Sequence, residues 1–245
     1  MAELLLHVDN LSKRFGGFVA LDGINLSVQA GERVGLIGPN GSGKSTLVNC
    51  MCGTLRNETG TVRFDGRIVD GLAANQRTHR GMARSFQLPR PFHTLSVAEN
   101  LRIPLLFTAH SRSGRHLTRE ETESRCHELA GLVGLAAKAN KLPRDLTQVE
   151  MRKLELARAM AADPKLLIAD EAMAGLSQSE VTDIVDLLIK LNERGVTIIL
   201  IEHIMRAVMS FSTRLVVLVA GNKIADGMPQ EVVRNPDVER AYLGE

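Results

Sequence analysis

Residues 38–46 read GPNGSGKST, which fits the spacing G-x-x-x-x-G-K-[ST] from Gly38 to Ser45. That combination suits a polyphosphate. Gly38, Gly41 and Gly43 let the backbone turn successive N–H groups inward past Pro39, Asn40 and Ser42 without Cβ clashes. A helix that starts at the end of the loop points its positive terminus at the same place. Lys44 supplies a mobile point charge for β- and γ-phosphates, the Ser45 hydroxyl is a hard oxygen ligand for Mg²⁺, and Thr46 lies toward the α-phosphate. The ligands implied are ATP and Mg²⁺.

Leu166–Glu171 (LLIADE) supplies a second element of such a site. An apolar strand that ends in an acid delivers the carboxylate to the C-terminal edge of a sheet, where ligands of α/β folds collect. Asp170 is placed to hold Mg²⁺ through water, and Glu171 to polarise an attacking water as general base. Alone, an acidic pair at a strand end is an ordinary solvated cap. Downstream of a phosphate loop it reads as chemistry.

These groups require strands and helices to hold them. Ile24–Val28 alternates apolar and polar residues, Val34–Ile37 is a short apolar run directly before the loop, and residues 60–66 alternate between two glycine breaks. In the middle, Ser96…Glu99 and Thr118…Glu121 have capping-box spacing and open helices, with a polar, basic loop at Ser111–His116 between them. The second of these helices runs to about Gly134. In the last third, Leu166–Ala169, Val196–Ile201 and Arg214–Ala220 are apolar runs, and Val181, Ile184, Val185, Leu188 and Leu191 mark one helical face. Strands apolar on both faces that alternate with helices imply a largely parallel, covered sheet. The fold class is α/β. Residues 1–93 and 143–245 are expected to form the core and 94–142 an inserted helical lobe, with Pro143 near the return.

Lys plus Arg number 30 and Asp plus Glu 28, a net charge of +2, which gives no electrostatic case for nucleic acid. No apolar run approaches the roughly 18–20 residues that span a bilayer, and the N-terminus has no signal-peptide pattern. Cys50, Cys52 and Cys126 form no disulfide framework, which points to a reducing cytoplasm. Cys50 and Cys52 lack a zinc-spaced partner and read as packing residues.

With these motifs in order, the chain resembles the ATP-binding subunits of ABC transporters over essentially its whole length. The resemblance implies a P-loop core with an N-terminal antiparallel β subdomain and an inserted helical lobe. It assigns Phe15 to adenine stacking, although Phe15 as ordinary core is the alternative. Gln87, within Arg84-Ser85-Phe86-Gln87, matches the glutamine that senses the γ-phosphate and metal. His203, after Ile201-Glu202, matches the histidine that contacts the γ-phosphate. Residues 83–101, 200–209 and 227–245 are similar to the branched-chain amino-acid importers. That likeness implies a second ATPase chain, membrane permease subunits, indirectly a substrate-binding protein, and a place on the cytoplasmic face of the membrane.

One segment departs from the family. ABC ATPases pair head to tail, and one chain's signature, close to Leu-Ser-Gly-Gly-Gln, completes the partner's nucleotide site. Here the corresponding residues are Leu146-Thr147-Gln148-Val149-Glu150, before a helix expected at Met151–Ala161. Val149 stands where glycine normally admits the nucleotide, and Glu150 would repel a phosphate. Ala172 and Ser177 replace a usual Pro and Asp downstream. A heterodimer with one competent site is therefore expected. The alternatives are a lipopolysaccharide-export type ATPase, for which a homodimer with two good signatures is usual, and a nucleotide-binding regulatory module with weak hydrolysis.

Overall fold

The computed structural model describes residues 3–86, 89–109 and 117–243. Gln87 and the loop Ser111–His116 fall outside the described residues.

Two sheets form the frame. β1 (Leu4–Phe15) and β2 (Phe18–Gln29) make a hairpin about Gly16-Gly17, with Phe15 opposite Phe18. β4 (Thr59–Phe64) and β5 (Arg67–Ile68) extend it into an antiparallel sheet of order β2-β1-β4-β5. The second sheet contains β3 (Arg33–Ile37), β6 (Met82–Ser85), β7 (Leu166–Asp170), β8 (Thr197–Ile201), β9 (Arg214–Val219) and β10 (Asn222–Gly227). Its order is β10-β9-β3-β8-β7-β6, parallel throughout except for the β9–β10 pair.

The parallel strands are buried on both faces because their side chains alternate between two cores. Leu166, Ile168, Ile199 and Ile201 face a core shared with Leu6, Val8 and Leu26 of the antiparallel sheet and with Leu47, Val48 and Met51 of α1 (Lys44–Cys52). Leu167, Ala169, Ile198 and Leu200 face the opposite core. There they meet α3 (Val97–Pro104), α4 (Arg119–Leu132), α5 (Gln148–Met160) and α6 (Gln178–Glu193), which follow α2 (Ala74–His79) in the chain. Each buried Leu or Ile contributes roughly 1.5–3 kcal/mol, so the strand that ends in Asp170 is anchored from both sides. α7 (Met205–Phe211), α8 (Pro229–Val232) and α9 (Pro236–Leu243) close the chain.

The capping pairs at Ser96 and Thr118 open α3 and α4, each with its side chain accepting the N–H of the residue three further on. α5 differs from expectation. It starts at Gln148 instead of Met151, because Thr147 is itself an N-cap. The Glu150 N–H donates to Thr147 Oγ1 at 3.4 Å, and Glu150 Oε2 accepts the Thr147 N–H at 2.8 Å. Gln148, Val149 and Glu150 are thereby the first helical turn rather than a loop.

Candidate active site

The phosphate loop leaves β3 and runs into α1, packed so closely on its neighbours that two of its glycines have no substitute. A Cβ on Gly38 would strike the Leu218 carbonyl oxygen of β9. Gly43, the N-cap of α1, has φ of 101°, and a Cβ there would lie 2.6 Å from the Ala20 carbonyl oxygen. Gly221 ties the loop further, donating to Ser42 O at 3.0 Å and accepting from Asp22 at 2.9 Å. Lys44 is 6% exposed, and its ammonium donates to the carbonyls of Gly38 (2.6 Å) and Pro39 (3.0 Å). Burial lowers its pKa, while the negative charges of Glu171 and Asp170 act in the opposite sense.

The loop forms one wall of a cleft of about 240 Å³ that it shares with Phe15, Phe18, Ala20, Glu171 and His203. Of the residues expected from sequence, Phe15, Asn40, Gly41, Ser42, Gly43, Lys44, Ser45, Thr46, Glu171 and His203 line this one space. Phe15 is 51% exposed, so it is not a core residue. Phe18, 63% exposed on the other side of the hairpin turn, is a second aromatic wall that sequence reasoning missed. The signal was present, as two aromatics flanking Gly16-Gly17.

Glu171 follows β7 with φ of 47°, a left-handed conformation uncommon for a residue with a Cβ. Its N–H donates to Ile201 O at 2.9 Å, and its Oε1 lies 3.0 Å from His203 Nε2. A carboxylate and an imidazole in contact beside a phosphate loop form an arrangement that can orient a water and accept its proton.

Asp170 lies behind this pair, 8% exposed. Arg84 of β6 reaches its Oδ2 through Nη2 (2.5 Å) and Nε (3.2 Å) and bonds Asn49 Oδ1 through Nη1 (2.7 Å). Both bonds to Asp170 fall on one oxygen. Among the described residues, the expected donors to a metal are thus a carboxylate at the end of β7 and the exposed hydroxyl of Ser45. No cluster of three or more His, Cys, Asp or Glu able to hold a metal occurs among the described residues. A sparse, all-oxygen set of this kind fits Mg²⁺, which keeps waters and substrate phosphate oxygens in its shell.

The Arg84–Asp170 pair also bears on stability. Its side chains are 15% and 11% exposed, and removing one partner of a fully buried pair costs roughly 3–5 kcal/mol. Partial exposure reduces the penalty, so Arg84→Ala is expected to destabilise the chain by about 2 kcal/mol. Urea denaturation followed by circular dichroism measures this, and an unchanged midpoint would show that the pair contributes nothing.

A second surface feature borders β6. Phe86, Phe92 and Phe107, exposed by 47%, 43% and 71%, line one groove of about 440 Å³ together with Ile103 and Pro104. Arg84 lies over the Phe86 ring at 5.2 Å and Arg158 over Phe92 at 5.3 Å. Three exposed aromatics thus share one groove instead of being scattered singly, the pattern that marks interaction sites.

The segment Thr147–Glu150 does not join the cleft. Glu150 Oε2 accepts Lys138 Nζ at 2.7 Å in addition to its own helix cap. The Lys138 hydrogen bond and then the Thr147 N–H hold its carboxyl below the usual carboxylate range.

Comparison with known proteins agrees with this geometry. The model of the ABC transporter family matches residues 21–174, and that of the branched-chain amino acid ATP-binding cassette transporter matches residues 222–245. The chain is 38% identical over 255 residues to the high-affinity branched-chain amino acid transport ATP-binding protein BraF of Pseudomonas aeruginosa. It is 37% identical over 258 residues to the corresponding protein LivG of Escherichia coli K12, and both alignments cover 100% of each chain. Among solved structures, the ADP conformation of an ATP-binding cassette of an ABC transporter superposes with a TM-score of 0.89 at 31% identity, covering 99% of both chains. A nucleotide-free cassette gives 0.88 at 30% identity, covering 99% of this chain and 100% of the other. A phosphate loop, an acid pair at a strand end and a strand-end histidine, joined by full-length likeness to such cassettes, make the chain a member of the ABC transporter family, an ATP-hydrolysing, ATP-binding subunit of the type that includes BraF and LivG.

Proposed function

We propose that this chain is one of two different ATPase subunits of an importer for branched-chain or related amino acids, and that hydrolysis in its cleft drives a membrane permease. The observation that carries this reading is the convergence of Phe15, the phosphate loop, Glu171 and His203 on one cleft, in a chain whose tail matches the branched-chain transporter family.

In this reading Phe15, with Phe18 beside it, stacks on adenine. Lys44 leaves the Gly38 and Pro39 carbonyls for the β- and γ-phosphates, which outbid two neutral acceptors for an ammonium. Ser45, Asp170 and Gln87 would hold Mg²⁺, which neutralises charge on the transferred phosphoryl group. Glu171 orients a water and takes its proton as the water oxygen bonds the γ-phosphorus. The bond from that phosphorus to the β–γ bridging oxygen breaks, and ADP and phosphate are released. His203, held by Glu171, contacts the γ-phosphate side.

The aromatic groove between Phe86 and Phe107 is the proposed seat of the permease. It borders β6, the strand that leads to Gln87, so nucleotide and permease would act on one segment. Residues 94–142 would move as a lobe as nucleotide binds and leaves. A permease seated there supports a peripheral position on the cytoplasmic face of the membrane, with a substrate-binding protein acting on the permease from the other side. Val149 and Glu150 support a heterodimer in which this cleft, completed by an intact partner signature, is the faster site.

Proteoliposomes holding the permease subunits, this chain and its partner ATPase should accumulate leucine, isoleucine or valine when supplied with MgATP and a binding protein. Omitting this chain should abolish uptake. A complex that hydrolyses ATP yet moves none of the three would overturn the substrate assignment.

A further inference from the structure

The side chain of Glu202 does not line the cleft, yet it is a carboxylate only 2% exposed, one residue before His203. Its Oε1 accepts the Met173 N–H at 2.8 Å. Burial pushes its carboxyl up to about 6, against the N–H groups of Met173 and His203. Titratable groups face it from the neighbouring elements: Arg152 of α5, Glu171 at the end of β7 and His203 beside it. The fold therefore keeps a buried carboxylate that its surroundings disfavour, a pattern concentrated at functional sites.

The backbone shows what Glu202 holds. Glu171 occupies the left-handed region at φ 47°, which a residue with a Cβ keeps only when its neighbours impose it. Three consecutive residues impose it here. Ile201 O accepts the Glu171 N–H, Glu202 Oε1 accepts the Met173 N–H, and His203 Nε2 meets the Glu171 carboxylate. On the far side of the turn, Arg152 Nη2 donates to Ala174 O at 3.2 Å. Among the described residues, the bond from Glu202 is the hydrogen bond that links the end of β8 to the chain after Glu171.

We propose that Glu202 is a positioning residue for ATP hydrolysis: by tying the Met173 N–H to the end of β8, it fixes the turn after Glu171 and keeps the Glu171 carboxylate against His203. This inference rests on the roles given above to Glu171 and His203.

Two variants separate positioning from packing. Glu202→Ala removes the acceptor, and Glu202→Gln keeps a carbonyl oxygen for Met173. In the assembled transporter, Glu202→Ala should lower kcat about 10- to 100-fold with KM for ATP unchanged within about twofold, and Glu202→Gln should recover all but about threefold. In the isolated chain, the NMR chemical shifts of the His203 ring at one fixed pH give a readout independent of turnover. Glu202→Ala should move these shifts in the same direction as Glu171→Gln does, because both remove the carboxylate from the ring, whereas Glu202→Gln should leave them near the wild-type values. A folded Glu202→Ala protein with wild-type kcat, or with low kcat and unmoved His203 ring shifts, overturns the proposal. If the Ala variant does not fold, a Gln variant as slow as Glu171→Gln overturns it. Full turnover by Glu171→Gln would instead defeat the catalytic reading, whatever Glu202 does.

Discussion

Replacing Glu171 by Gln is expected to slow ATP turnover of the assembled transporter by about 10²- to 10⁴-fold, the usual contribution of a positioned general base, while ATP binding persists. The geometry makes the substitution specific. Gln has nearly the same volume and still offers an oxygen to His203 Nε2, now 3.0 Å from the carboxylate, so the left-handed turn and the cleft wall survive. What disappears is the group that takes a proton. Removing a negative charge from a cleft that must accept a triphosphate should leave affinity unchanged or raise it. The expected signature is therefore a fall in kcat without a rise in KM, read by phosphate release together with equilibrium binding of a fluorescent ATP analogue. An unchanged rate would favour a nucleotide-binding regulatory module over a transport ATPase.

How much of this was legible in the sequence depended on distance along the chain. The phosphate loop, the acid-tipped strand Leu166–Glu171 and the covered parallel sheet are local patterns, and the structure contains them at those positions. The contacts that tune the site are not local. Arg84 and Asp170 are 86 positions apart, and Met173 and Glu202 are 29 apart. No periodicity announces such pairs, because strand order brings them together: β6 beside β7, and β7 beside β8. Phe18 was missed differently: its sequence signal is only a second aromatic across Gly16-Gly17 from Phe15, and its exposure shows only in the structure. The start of α5 was legible after all. Thr147…Glu150 has the same capping spacing as Ser96…Glu99 and Thr118…Glu121, but likeness to the signature segment directs attention to a partner's phosphate instead of to the helix's own N–H groups.

That local role decides the second large effect. The double substitution Val149→Gly with Glu150→Gln is expected to raise the ATPase rate of the chain in the absence of its partner by about 10²-fold, comparable to restoring one transition-state hydrogen-bond donor. Gln at position 150 keeps the capping box, since Gln serves there as well as Glu, so α5 should still begin at Thr147. Val149 is half-buried and packs on the core beneath α5, so its removal should cost about 1–2 kcal/mol of stability in lost packing and helix propensity. The two changes should not contribute equally. Glu150 is already paired with Lys138 at 2.7 Å, which offsets much of the repulsion its charge would exert on a phosphate. Glu150→Gln alone should therefore do less than Val149→Gly alone, which clears the β-branched side chain from the approach to the nucleotide. The check is the steady-state rate measured against chain concentration, where a restored site gives an upward-curving, cooperative dependence because two chains must meet. Fast, cooperative hydrolysis by the unsubstituted chain alone would remove the case for asymmetry. A folded double variant that stays slow would show that this segment is not what limits the isolated chain.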